Sequence, residues 1–282
     1  MKLSLLRTSV LAGSVVIAAA LAAPVAQASA AGYQSFWTPE RMRAATPLPR
    51  SSGPAKTADA EPPPGTPTAT SFTGVPTVGA LFFTLGPIRI LHFCTASVVH
   101  SPAGNLLLTA AHCVSGPTGQ PGNLAFVPEY HDGTAPLGGW GIQRITVAPG
   151  WTASSDENLD FAFLTVSGRP VEPVTGANTL GVDRGYDHPV QVIGYPLSAD
   201  RPVQCATQSF QALPKQMQFY CHGFTSGTSG SPWLIDYDPQ TGRGTVIGDI
   251  GGHLGGGDVE YTSYSPYFDT DIQQLYQTAT GS

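Results

Sequence analysis

Gly227-Thr228-Ser229-Gly230-Ser231-Pro232, with Trp233 and Leu234 opening an apolar run behind it, is the stretch on which the reading of this chain turns. A serine set between glycines, just ahead of a strand, predicts a hydroxyl held on a tight turn over a barrel. Gly227 has no Cβ, so an oxygen can approach the amides beside it closely. The N–H groups of Gly227 and Ser229 are then placed to meet one developing oxyanion. Alone, the hexapeptide reads equally well as a polar hairpin turn, because glycine–serine turns are common. Its meaning depends on whether the rest of the chain supplies a base and an orienting acid.

Toward the N-terminus the chain carries a targeting pattern. Lys2 and Arg7 precede an apolar core over 11–23, and Ala28-Ser29-Ala30 has the small-residue form of a cleavage site, so residues 1–30 read as a signal peptide. The apolar core is short, no later stretch approaches the ~20 apolar residues of a spanning helix, and no cysteine follows it to carry a lipid. A secreted, extracellular product with no membrane attachment is expected. Residues 31–71 read as a pro-segment or disordered linker: Pro47, Pro49, Pro54, Pro62, Pro63, Pro64 and Pro67 stand among Ala, Ser and Thr, with little that is apolar after Trp37. The competing reading is a short helix over 36–45, capped by Thr38 ahead of Pro39.

The whole chain has formal net charge −6 and only 13 Lys+Arg, with no basic cluster to neutralise phosphates, so nucleic acid is not an expected partner. The 33 Gly and 26 Pro, widely spread, fit an all-β chain of short strands joined by turns. Strand-like runs occur at 77–84, 88–99, 106–109, 124–128 and 142–147, and again at 190–193, 203–210, 217–221, 232–235 and 245–250. The glycine- and proline-bearing stretch over 167–185 divides two halves, 72–166 and 167–282. A helix is expected from about 270, with Ile272, Leu275 and Tyr276 on one face and a Thr270–Gln273 capping box. Cys94, Cys113, Cys205 and Cys221 all lie in the exported part, an even number suited to an oxidising compartment. Three pairings are open. The neighbouring one closes two short loops, each worth about 3 kcal/mol. No C-x-x-C or H-E-x-x-H occurs, so zinc has little support.

The candidate base is His112, in Leu108-Thr109-Ala110-Ala111-His112-Cys113, where an apolar strand ends beside a cysteine. His92, His100, His131 and His188 lack this setting and read as packed or solvated. The candidate acid is Asp160, in Leu159-Asp160-Phe161-Ala162-Phe163-Leu164. A carboxylate entering an apolar strand is expensive unless hydrogen-bonded, and holding an imidazole N–H is a reason to bear that cost. Asp156 and Glu157 read as residues of a polar loop. Asp236 and Asp238, ahead of Gly242, read as a hairpin turn in preference to a calcium site.

The order His112, Asp160, Ser229 excludes an α/β-hydrolase, which runs Ser, Asp, His and carries G-x-S-x-G. The surroundings resemble the chymotrypsin-like serine endopeptidases. Thr109-Ala110-Ala111-His112-Cys113 resembles that family's histidine motif, Val147-Ala148-Pro149-Gly150-Trp151 with Leu159-Asp160-Phe161-Ala162-Phe163-Leu164 its acid region, and Gly227-Thr228-Ser229-Gly230-Ser231-Pro232 its nucleophile motif. That last form is typical of secreted bacterial glutamyl-endopeptidase-like members. The resemblance covers roughly 72 to the C-terminus. It implies two packed antiparallel β-barrels with a C-terminal helix, and a cleft holding His112 as base, Asp160 as orienting acid and Ser229 as nucleophile. It further implies Cys94 paired with Cys113; Cys205 paired with Cys221 is expected alongside it. Peptide bonds of a protein or peptide substrate would be hydrolysed through an acyl-enzyme, by a monomer without metal or cofactor.

Several positions depart from the family pattern. Thr228 replaces an aspartate that answers an inserted N-terminus in trypsin-like members, so the oxyanion loop is expected to be pre-formed. Gly251 stands where many relatives have a serine bonding the acid. Gly223 stands where trypsin-like members select Arg or Lys. Gly223, Phe224, Ile250 and His253 are the expected specificity pocket, largely apolar, favouring a neutral medium-to-large side chain. Ile250 occupies the position of the glutamyl-specific members' histidine; His253 pointing inward would favour an acidic side chain, and Asp249 a basic one. The competing class is a protease-fold binding protein, catalytically weak or inactive.

Overall fold

The computed structural model describes residues 35–48, 61–116, 119–197 and 200–281. The signal peptide expected over 1–30 lies outside these residues, as do 31–34 and 49–60 of the expected pro-segment or linker. The described parts of that segment are built into the fold. Helix α1 (Pro39–Ala44) is capped by Thr38, whose Oγ1 accepts the Arg41 N–H at 3.3 Å. Trp37 and Met42 are buried, and the Trp37 indole N–H donates to the Asn123 carbonyl at 2.6 Å. The two-residue strands β1 (Thr46–Pro47) and β2 (Thr70–Ser71) then join later elements. A disordered stalk therefore does not describe these residues. Composition counted apolar residues, whereas two large side chains set over an apolar groove are enough to dock the segment.

The first barrel is built from β3 (Val78–Leu85), β4 (Ile90–Val99), β5 (Leu106–Thr109), β6 (Gly122–Pro128), β7 (Trp140–Val147) and β8 (Ala162–Val166). They pair antiparallel in the order β4-β3-β6-β7-β8-β5, and β5 returns to β4, so six strands close on themselves. Closure removes the free edges that an open sheet leaves. β1 adds outside, parallel to β4 at His92 and Phe93, and the Leu48 N–H donates to the Phe93 carbonyl at 3.1 Å. β3 is buried at every position. Leu81 and Phe83 pack inside the barrel with Phe126, Trp140 and Leu164, while Ala80 and Phe82 belong to a second cluster shared with the other half. Burial on both faces explains a run with almost no polar alternation.

Two short helices, α2 (Pro149–Ser154) and α3 (Glu172–Thr175), flank β8. The second half contains β9 (Thr179–Leu180), β10 (His188–Gly194), β11 (Val203–Leu213), β12 (Gln216–Tyr220), β13 (Pro232–Asp238), β14 (Arg243–Asp249) and β15 (Thr262–Pro266), in the order β15-β12-β11-β10-β13-β14-β9, with β2 on β11. The sheet curls until its far members meet: the Gly251 N–H donates to the Tyr264 carbonyl at 3.1 Å, and the Asp249 N–H to Ser265 Oγ at 2.9 Å. Its interior holds Val192, Phe219, Phe224, Trp233, Ile247 and Ile250.

The cluster between the halves takes Phe161 and Phe163 from one side, Ile193, Leu234 and Val246 from the other, and Ile272, Leu275 and Ala279 of helix α4 (Thr270–Thr280). This helix starts where expected, but Asp269 caps it, accepting the Asp271 N–H at 2.8 Å in place of the Thr270–Gln273 box. A carboxylate in that position also meets the positive end of the helix dipole. Disulfides join Cys94 to Cys113 and Cys205 to Cys221, closing separations of 19 and 16 residues.

Candidate active site

β5 ends at Thr109 and the chain turns through a 3₁₀ turn, Ala111–Cys113. Ala110 and Ala111 are fully buried, so only small side chains fit there, and the Cys113 disulfide ties the turn to β4. His112 Nδ1 lies 2.7 Å from Asp160 Oδ2, and the His112 backbone N–H donates to Asp160 Oδ1 at 2.8 Å. Asp160, at the entry to β8, is only 1% exposed. A carboxylate so far from water needs several donors. Its third is the Gly252 N–H, 2.8 Å from Oδ2. At Gly251 a Cβ would stand 2.9 Å from the Asp160 carbonyl oxygen and 3.1 Å from Oδ2, leaving no room for a serine. The acid is therefore gripped by a backbone amide one residue further on. With Nδ1–H committed to Asp160, the other ring nitrogen, Nε2, is left as an acceptor.

The serine turn precedes β13. The Thr228 and Ser231 N–H groups donate to the carbonyls of Thr225 and Thr228, and the Gly230 N–H to that of Ile250 at 2.8 Å. The amides of Gly227 and Ser229 donate to no partner among the described residues. Gly227 has φ +97° and no space for a side chain: a Cβ would lie 2.5 Å from the Phe93 ring and 2.6 Å from the Tyr195 carbonyl oxygen. From the first barrel the Thr95 N–H donates to the Ser229 carbonyl at 2.8 Å, and Thr95 Oγ1 to the Gly227 carbonyl at 3.1 Å. Gly230 leans on the strand leading to His112, since a Cβ there would be 2.4 Å from Thr109 Oγ1 and 3.0 Å from Ala110 N. The Ser231 hydroxyl is spent on the Thr228 carbonyl at 2.6 Å. Ser229 Oγ and His112 Nε2 are buried without a hydrogen-bond partner among the described residues. A hydroxyl and an imidazole nitrogen left open in this way suit proton transfer, and such pairs often tighten only with substrate bound.

The expected pocket residues fall into two kinds of setting. Phe224 and Ile250 are fully buried in the second barrel's interior, with Phe224 edge-on to Phe219. Gly223, at φ +100°, donates its N–H to Glu260 Oε2 at 2.8 Å, and His222 Nδ1 meets the other oxygen of that carboxylate at 2.5 Å. His253 is turned toward Glu157, 3.0 Å from Oε2, and edge-on to Tyr264. Asp249 is fully buried; burial, then the negative charge of Asp160, hold its carboxyl well above the usual range and favour the protonated form. Nothing in the local sequence marks Thr95, Glu157, Gln216 or Glu260 as belonging to the site, or Gly252 as a donor to the acid, because these parts are set by distant partners. Among the described residues no cluster of three or more His, Cys, Asp or Glu could hold a metal ion, and no helix is long and apolar enough to cross a membrane.

Two β-barrels, the first carrying a histidine–aspartate pair and the second a Gly-x-Ser-Gly turn, make a serine-protease fold. Comparison with known proteins agrees, and the chain belongs to the family described as the trypsin-like peptidase domain, which matches residues 94–248. It is a serine-type endopeptidase by that membership. Among solved structures it is similar to the protease Anisep from Arthrobacter nicotinovorans, at 26% identity and TM-score 0.67 over 76% of this chain and 100% of that one. It shares its fold with a thermostable serine protease, AL20, from an extremophilic microorganism (24% identity, TM-score 0.64, 73% and 98% covered). A Glu endopeptidase in complex with MPD is a third fold relative (18%, TM-score 0.61, 77% and 99% covered). No curated protein matches the sequence significantly.

Proposed function

We propose that the chain is a secreted serine endopeptidase that works through His112, Asp160 and Ser229. The Ser229 hydroxyl attacks the scissile carbonyl and gives its proton to His112 Nε2. Asp160 keeps the proton on Nδ1 and stabilises the imidazolium that forms. The amides of Gly227 and Ser229 receive the oxyanion. The imidazolium then protonates the leaving amine, and a water deprotonated by the same histidine resolves the acyl-enzyme. The observation that carries this reading is the division of labour in the serine turn: the Ser231 hydroxyl is bonded within the turn while that of Ser229 is open.

In the proposed organisation, residues 1–30 direct export, 31–71 act as a pro-segment, and the barrels 72–166 and 167–282 form a monomer. Cleavage is proposed after a neutral, medium-to-large side chain, since Asp249 is fully buried in a setting that favours its protonated form and His253 already has a carboxylate partner. An organophosphonate probe should label Ser229 in the secreted protein. Ser229→Ala should abolish labelling and lower kcat by about 10³-fold or more, whereas Ser231→Ala should keep most activity. Retained turnover in Ser229→Ala would end this mechanism.

A further inference from the structure

We infer that Glu157 is a positioning residue for the acid: it fixes the glycine-rich loop whose Gly252 N–H is bonded to Asp160. The inference rests on the catalytic reading above.

The loop after β14 carries Gly251, Gly252, Gly255, Gly256 and Gly257. Four of these have φ between +62° and +124°, and Leu254 shares the left-handed region at φ +54°. Such a stretch has many conformations open to it, and ordering it is costly. Three consecutive amides of the loop are nevertheless anchored, each on a different side chain. The Gly252 N–H goes to Asp160 Oδ2 at 2.8 Å, the His253 N–H to Gln216 Oε1 at 3.0 Å, and the Leu254 N–H to Glu157 Oε1 at 3.1 Å. The second Glu157 oxygen meets His253 Nδ1 at 3.0 Å. The Gln216 amide closes the set by donating to the Glu157 carbonyl at 3.0 Å and to Asn158 Oδ1 at 3.1 Å.

Glu157 and Asp160 stand three residues apart around one 3₁₀ turn, so the element that carries the acid also holds the loop that serves it. No side chain at Gly251 can take over, since the space is filled by Asp160 itself. Without the Glu157 carboxylate, the Leu254 N–H and the His253 ring lose their anchors and only the His253 N–H stays held, by Gln216; the Gly252 N–H drifts, and Asp160 Oδ2 keeps the imidazole as its one remaining partner. The histidine is then less well oriented in the transition state, while ground-state binding is little changed.

The alternative is that Glu157, whose side chain is 49% exposed at the rim, touches peptide substrates directly. A small activated ester and a long peptide separate the two, together with the far-downfield proton resonance of the His112 Nδ1–H···Asp160 bond. For Glu157→Ala we expect kcat to fall about ten- to hundredfold on both substrates with KM nearly constant, and the resonance to shift or broaden. Glu157→Gln keeps an acceptor for the Leu254 N–H and should restore most of kcat. Unchanged ester hydrolysis, or an unchanged resonance, overturns the inference and leaves Glu157 a peptide contact. Wild-type protein that escapes labelling at Ser229 and hydrolyses neither substrate would instead overturn the serine mechanism, and the resonance would still decide the role of Glu157.

Discussion

Gly251 stands where the family resemblance leads one to expect a serine bonded to the acid, and that difference can be tested in reverse. A serine there would place its Cβ within 2.9 Å of the Asp160 carbonyl oxygen, closer than real Cβ contacts come. Asp160 or the loop would have to move, and with it the amide–carboxylate bond now made by Gly252. Gly251→Ser should therefore lose about tenfold or more in kcat/KM, measured on a small ester with circular dichroism to confirm the fold. Activity equal to or above wild type would show that the family's serine can be accommodated. His112, Asp160 and Ser229, the residues proposed for the chemistry, each sit in a local motif whose neighbours single them out, and the His112–Asp160 contact is where those motifs point. Gly252 was not legible, since its partner is 92 residues away and a glycine in a glycine-rich run advertises nothing. Thr95 was hidden in the same way, reaching Gly227 across 132 residues.

Among the elements, most strands announced themselves through β-branched and aromatic runs, and the structure chiefly lengthens them: the run expected at 190–193 becomes β10 over His188–Gly194, and 203–210 becomes β11 over Val203–Leu213. Added residues such as Pro189, Gly194 and Gln211 have little strand signal of their own and take their place through register with the neighbouring strand, which side-chain pattern does not reveal. In the N-terminal segment the Thr38-capped helix is legible, but its docking is not, because it rests on Trp37 and Met42 in otherwise linker-like surroundings. Trp37 packs 5.2 Å from the Phe82 ring and its indole N–H is bonded to Asn123. Both contacts vanish in Trp37→Ala, which should cost the full chain about 3 kcal/mol, read as a lowered urea midpoint. No change would mean that the segment contributes nothing to the stability of the barrels. β1 also covers the Phe93 edge of β4, and the Phe93 ring packs where a Gly227 side chain would otherwise be. Docking of the segment is thus linked in space to the serine turn.

On the scale of the whole molecule, two barrels meet over an apolar layer, and two buried carboxyls lie near that junction with opposite roles. Asp160 is supplied with donors from three backbone or ring groups. Asp249 has none on either oxygen among the described residues, and burial together with the charge of Asp160 holds its proton on well above the ordinary carboxylate range. In the unfolded chain the same group titrates near the usual value of about 3.9. Between that value and the raised folded one, the folded state binds the extra proton and unfolding releases it, so stability falls as pH rises. The loss is absent below the unfolded pKa and grows by about 1.4 kcal/mol per pH unit through the window. Asp249→Asn keeps the shape of the neutral acid and cannot ionise in either state, so it escapes this slope. Urea unfolding of the wild type and Asp249→Asn should give similar free energies near pH 3.5, with the variant increasingly the more stable toward pH 7. A difference that stays flat with pH, or a wild type that gains on the variant as pH rises, would show that Asp249 is ionised in the folded protein and that a partner stabilises its charge.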